Sequence, residues 1–284
     1  MSKGIQGASL FTSRLLKLRS QPVAFAGIDA DKPPIRVAKV QLHRREFPRF
    51  KIIGVYSSPA GSVYYPSQKG CEVLAEHAGD DSYLLTPTQC PQPHHIAHWL
   101  AVTETHLKLD EATEGQDAVQ LGEWINEWDT VNKDEQEPEK RYRLYTLLGD
   151  NPRLICAPDS AFMLTALGYT KVFYLEQDRG TTGVRQVVAR KSKGYAELAS
   201  RGCHRSHFPG TNVDSFTVVC IAHNDRRRDA LRRAFSGIQG SELWKFCSAT
   251  DLTAETFLHA PIWYSVSGDP VPLVKLPNES ESQS

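Results

Sequence analysis

The segment that most constrains the fold runs from residue 155 to 181, ICAPDSAFMLTALGYTKVFYLEQDRGT. Two apolar runs flank Gly168-Tyr169, and a glycine in the first central position suits a two-residue type II′ hairpin. That turn pairs Leu167 with Thr170, Leu164 with Phe173, Met163 with Tyr174, Phe162 with Leu175 and Ala161 with Glu176. Asp159 then lies opposite Asp178. Strand side chains alternate, so Glu176 and Asp178 share a face, and three carboxylates gather on one side of one hairpin. Like charges directly opposite destabilise a sheet. Such a cluster calls for a cation, a basic partner or protonation, and its oxygen-rich chemistry suits Mg²⁺ or Mn²⁺. The plainer reading makes Asp159 a turn residue after Pro158 and Asp178 the start of the loop Asp178-Arg179-Gly180.

The next segment, VRQVVARKSKGYAELASRG, carries Val184, Val187, Val188, Tyr195 and Leu198 at helical spacing. Lys191 falls on that inward stripe and Lys193 turns well away from it. A lysine aimed at the sheet balances the carboxylates or orients a water; the bland alternative is that it snorkels to solvent. Asp159, Glu176, Asp178 and Lys191 are therefore the candidate catalytic group, the three acids being also the candidate metal ligands. Glu104 is a weaker candidate for an outer ligand.

Upstream, residues 34–46 (PIRVAKVQLHRRE) suit a short basic helix opened by Pro34, with Arg36, Lys39, Arg44 and Arg45 as candidate DNA contacts. Two β-type runs, FKIIGVY and SVYYP, follow around a turn-rich loop, and then a helix-like run from Lys69 to Glu76. Helix, hairpin and helix make the wing half of a winged helix. Only Leu10 to Leu18 precedes it as a further helix, so the module reads as shortened. Gly61 and Gly70 read as turn residues. The expected organisation is a DNA-binding module over residues 1–80, a polar boundary from Asp80 to Pro93, a second domain over 94–277 and a disordered tail over 278–284. The second domain opens with a helix over 94–109 and continues with a strand-like stretch from Gly122 to Asp129.

The densest basic run is HNDRRRDALRRAF, residues 223–235. Arg226, Arg227, Arg228, Arg232 and Arg233 suit either a solvated helix or one that contacts phosphates independently of base sequence. Lys+Arg and Asp+Glu both total 33, so any nucleic acid must be held by local patches rather than by net charge. The set Cys203, His204, His207, Cys220 and His223 fits zinc spacings only loosely. His94 and His98 sit one helical turn apart without an evident third ligand. Six scattered cysteines read as reduced thiols. With no apolar stretch of roughly 20 residues, the expectation is a cytoplasmic protein without a membrane partner.

Pro158-Asp159, then Glu176-x-Asp178 on the next strand, then a lysine-bearing helix resembles the PD-(D/E)xK nuclease superfamily. More narrowly, the chain is similar to the replication-relaxation family of plasmid and mobile-element proteins. The matching residues are His98 through Val102, Pro158-Asp159, Leu175 through Thr181, and Lys191 with Tyr195, in a likeness spread over roughly residues 35 to 250. The resemblance implies an α+β chain: a winged-helix-like module followed by an α/β restriction-endonuclease-like domain with a mixed central sheet. It implies a DNA-binding protein of plasmid or mobile-element replication or mobilisation, with Mg²⁺ or Mn²⁺ as cofactor. A replication initiator or relaxase is an expected partner, and a homodimer an admissible assembly. One departure bears on activity: the superfamily usually has lysine where this chain has Asp178. Either Lys191 substitutes from the helix, which leaves an active Mg²⁺-dependent endonuclease, or the domain keeps only the fold, which leaves a non-catalytic regulator of transcription or mobilisation.

Overall fold

A computed structural model describes residues 23–24, 53–58, 61–79, 81, 84 and 93–276. The chain divides into two compact units, Met1–Thr103 with Asp129–Lys133, and Glu104–Trp128 with Asp134–Ser284. The basic helix expected over 34–46, with Arg36, Lys39, Arg44 and Arg45, lies outside the described residues. So do the helix Leu10–Leu18 and the tail from Asn278.

In the first unit, strands β1 (Val23–Ala24), β2 (Ile53–Ser58) and β3 (Gly61–Pro66) form an antiparallel sheet in the order β1-β3-β2. The two β-type runs do make a hairpin, with Val55 paired to Tyr64 and Ser58 to Gly61. Helix α1 (Gln68–Ala78) follows, opened by Ser67, whose hydroxyl accepts from the Gly70 amide, and closed by Gly79 at φ 63°. Gly70, expected in a turn, is instead inside the first turn of α1. A serine cap supplies the partner that its orphan N–H needs there.

The second unit is built on a seven-stranded sheet in the order β12-β11-β10-β9-β8-β7-β4. Its strands are β4 (Val119–Asn126), β7 (Ser160–Ala166), β8 (Tyr169–Asp178), β9 (Phe216–Ala222), β10 (Trp244–Ser248), β11 (Trp263–Tyr264) and β12 (Pro270–Val271). The first three form an antiparallel meander, whereas β8, β9 and β10 run parallel. Parallel neighbours need crossovers, and helices α4 (Val184–Ser200) and α6 (Asp225–Phe235) supply them. The sheet is thus mixed and the unit α+β. A small hairpin of β5 (Thr146–Asp150) and β6 (Arg153–Cys156) stands between β4 and β7 in sequence, preceded by the short helix α3 (Pro138–Arg141), and a second short helix, α5 (His204–His207), stands between α4 and β9.

Both faces of the sheet are covered. Val188, Tyr195 and Leu198 of α4 and Leu231 and Phe235 of α6 share one core with Ala161, Tyr174, Val218, Cys220 and Phe246 of the strands. On the opposite face, helix α2 (Pro93–Thr113) sets His106 flat on Trp124, with ring centroids 4.0 Å apart. Trp124 stacks on Phe162 and Phe162 on Phe173, each at 5.3 Å. β9 lies at the centre, with all seven residues buried.

The β7–β8 hairpin forms, but around a different bend from the expected one. Phe162 faces Phe173, Ala161 faces Tyr174 and Ser160 faces Leu175, so every residue of β7 meets a partner two positions earlier than the type II′ turn gives. The connection is Leu167-Gly168, both at positive φ (53° and 79°), as a type I′ turn requires. Tertiary contacts decide it. Asn212 accepts from the Thr170 amide (2.7 Å) and donates to the Gly168 carbonyl (2.9 Å), and the Thr165 and Thr170 hydroxyls meet at 3.0 Å. A slip of two leaves every side chain on its expected face.

Leu167 holds the left-handed conformation with an exposed side chain, so its strain is repaid by nothing local. Leu167→Asn should raise stability by about 1 kcal/mol, since asparagine is favoured there. An unchanged or lower urea midpoint would count against that turn assignment.

Candidate functional site

The acids gather at the carboxyl ends of the parallel strands β8 and β9, the region where open α/β sheets tend to hold ligands. One step beyond the last β7–β8 pair, Asp159 stands opposite Glu176 rather than opposite Asp178. The Asp159 amide donates to the Leu175 carbonyl (3.2 Å), and its Oδ2 accepts from the Gln177 amide (2.7 Å). Both acids point to the face that α4 covers.

Lys191 comes down on this pair. Its Nζ lies 2.9 Å from Glu176 Oε1 and 3.9 Å from Asp159 Oδ1, and it donates to the Ala157 carbonyl at 2.9 Å. One turn on, the Tyr195 hydroxyl donates to Glu176 Oε1 at 2.7 Å. The helix reaches this depth because residue 194 is glycine: a Cβ there would stand 2.5 Å from the Ile155 carbonyl oxygen at the end of β6. Burial pushes the Glu176 carboxyl above the usual carboxylate range, the Lys191 ammonium pulls it back, and Asp159 opposite raises it again. Burial would lower Lys191, but the two carboxylates outweigh it and hold the ammonium above the ordinary lysine value.

Asp178 shares the face but not the cluster. Arg227 of α6 clasps it with two bonds, Nε to Oδ2 at 2.5 Å and Nη2 to Oδ1 at 3.0 Å, and donates further to the Thr182 carbonyl. The Gly180 amide also reaches Oδ1, at 3.2 Å. The structure thus brings Asp159, Glu176 and Lys191 together and gives Asp178 its own cation. Glu104 is exposed and paired with Lys108 at 2.8 Å.

The arginines of α6 divide as well. Arg228 is buried among Asp225, Asp229 and Asp251 and lies over the Tyr264 ring at 4.2 Å. Arg232 donates to the Ser265 and Gly268 carbonyls. Arg226 and Arg233 are exposed. The loose zinc set also disperses: His207 bonds the hydroxyls of Tyr174 (2.7 Å) and Thr146 (2.9 Å), while Cys220 is buried in β9.

Three participants escaped the sequence reading. Tyr195 is expected in the apolar stripe and in the family likeness but not as a partner of Glu176, although its spacing of four from Lys191 puts both on one helix face. Arg227 is expected on a helix that is either solvated or in contact with phosphates, not on an aspartate of β8. The Ala157 carbonyl carries no signal in a sequence at all.

Among the described residues no group of three or more His, Cys, Asp or Glu side chains is placed to hold a metal ion. The donor set around Lys191 is nonetheless all oxygen: two carboxylates and a carbonyl, with the ammonium standing as their cation. A hard divalent ion that keeps several waters needs only one or two carboxylates from the protein. Asp159 and Glu176 fit that demand, with Asp178 outside the set.

Fold and site define an α+β protein in which a lysine-bearing crossover helix closes over an acid pair at the carboxyl edge of a mixed sheet. The replication-relaxation family model matches residues 41–211, more than half of the chain, and the chain belongs to that family. No curated protein and no solved structure matches it. Among the described residues no helix is long and apolar enough to cross a membrane.

Proposed function

We propose that this protein acts on DNA in plasmid or mobile-element replication or mobilisation, and that Asp159, Glu176 and Lys191 form a nuclease-like site for phosphodiester chemistry. The observation that carries this is the acid pair itself, two carboxylates opposite each other on adjacent buried strands under one lysine. A purely structural role is served as well or better by apolar residues of similar volume, and a buried acid raised by desolvation beside a specific charge partner, as Glu176 is, points to a functional site. Family membership supports the replication setting.

Within such a site Asp159 and Glu176 would hold Mg²⁺ or Mn²⁺, which lowers the pKa of a bound water and stabilises charge on phosphate oxygens. Tyr195 orients Glu176 and the Gln177 amide fixes Asp159, so neither carboxylate swings freely. Lys191 supplies the positive charge that Asp178, clasped by Arg227, does not.

The test is conversion of supercoiled plasmid to nicked or linear DNA in Mg²⁺ or Mn²⁺, comparing the wild type with Asp159→Asn/Glu176→Gln. Cleavage by the wild type alone, with a Mn²⁺-dependent rise in Tm that the variant lacks, is expected. A second reading, a non-catalytic DNA-binding regulator, is favoured by one observation: the chain's own cations, Lys191 and Arg227, already form ion pairs with all three acids. Plasmid bound but left intact by the wild type, without any Mn²⁺ effect on Tm, would replace the first reading with the second.

A further inference from the structure

We infer that DNA phosphates lie along the outward face of α4 and its leading loop 179–183, and that most of the arginines of α6 are not the contact; this rests on the reading that the chain works on DNA. Between Arg179 and Ala196 the sequence has five cations and neither Asp nor Glu. One of the five, Lys191, turns inward to the acid pair. The other four, Arg179, Arg185, Arg190 and Lys193, are exposed, and among the described residues none of these side chains has an ion pair or hydrogen bond.

Helical geometry explains the division. Val184, Val188, Tyr195 and Leu198 bury the inward stripe, while Arg185, Arg190 and Lys193 fall on the solvent side with Gln186 and Ala189. From Arg185 to Lys193 the helix rises about 12 Å. A duplex presents one charge per roughly 1.7 Å of its axis, so several phosphates fit alongside. Arg185 and Lys193 also border a groove of about 770 Å³ with Ala189, Ala196 and Ile238 on its walls. Its one acid, Glu197, is paired with Arg201 at 2.6 Å.

Arginine density misleads on α6, because Arg227, Arg228 and Arg232 are engaged by Asp178, by Asp225, Asp229 and Asp251, and by backbone carbonyls. Arg226 is exposed and makes none of these bonds, and Arg179 follows Asp178 directly in the chain. The cationic face therefore borders the strand end that carries Glu176 and Asp178.

Binding of a labelled short duplex of arbitrary sequence, followed by anisotropy from about 50 to 200 mM NaCl, tests the track. The full chain is compared with Arg185→Gln/Arg190→Gln/Lys193→Gln and with a control of equal charge change, Lys140→Gln/Arg153→Gln/Arg205→Gln. The track variant should bind at least about tenfold more weakly and lose about 2–3 from the slope of log K against log salt, with its Tm unchanged. The control should stay within about twofold of the wild type. Wild-type binding that the track variant matches, or that the control weakens equally, overturns the track and leaves the DNA reading standing. No binding by the wild type at low salt removes both.

Discussion

Replacing Lys191 with methionine should cost the second unit about 3–5 kcal/mol, because it leaves two opposed, largely buried carboxylates without their cation. Methionine keeps the stem that packs along α4 and removes only the charge. For a unit of this size the loss corresponds to a fall in Tm of about 6–20 °C. Two consequences identify the cause. Acidification should restore part of the loss, since protonating Glu176 removes the repulsion. Adding Glu176→Gln should also recover most of it, the amide oxygen still accepting from Tyr195. If Lys191→Met melts with the wild type, or the double variant is no better than the single, the ammonium is not what holds the acid pair together.

Acid should destabilise the second unit through its buried histidines, His106 and His207 most of all, with His204, lowered by burial, acting in the same sense. Burial pushes His106 down to about 3 and His207 to about 4, the latter helped by the charge of Arg143. His106 is stacked on Trp124, and its buried Nδ1 has no hydrogen-bond partner among the described residues. Both folded-state values lie below the ordinary 6.5, so the unfolded chain binds the extra protons. Their contribution is therefore fully present above about pH 7 and is lost as pH falls through 6.5 towards 4. By pH 5 each costs about 2 kcal/mol. Glu176 works in the opposite sense, since burial raises its carboxyl and the folded state binds a proton first, and it offsets part of this loss. A net loss of about 2 kcal/mol between pH 7 and pH 5 is expected from urea midpoints. His106→Phe/His207→Gln should reverse the sign of that slope; a slope unchanged in the double variant would remove these histidines as its source.

Much of the site was legible because strand periodicity is robust to register error. The expected hairpin slipped by two residues, and a slip of two keeps parity, so Asp159, Glu176 and Asp178 still came out on one face. Lys191 was legible for a similar reason: the 3.6-residue period that buries Val188, Tyr195 and Leu198 carries it inward too. What local pattern could not supply was pairing between distant segments. Opposite Asp178 the sequence reading put Asp159, whereas the cation that meets Asp178 comes from α6, 49 residues downstream. Nor does a run of five arginines reveal which are used up by aspartates on the same helix and carbonyls beyond it.

By itself the sequence determined the elements that carry the acids and the lysine, their faces and the neighbourhood of the acids, since these follow from residue-to-residue periods and turn chemistry within one stretch of chain. Tertiary structure alone decided the hairpin register, through Asn212, and the depth of α4, through Gly194 against Ile155. It also decided which cation each acid receives. Those outcomes depend on groups far apart in sequence meeting at hydrogen-bond distance, where a shift of about 1 Å separates a bond from none.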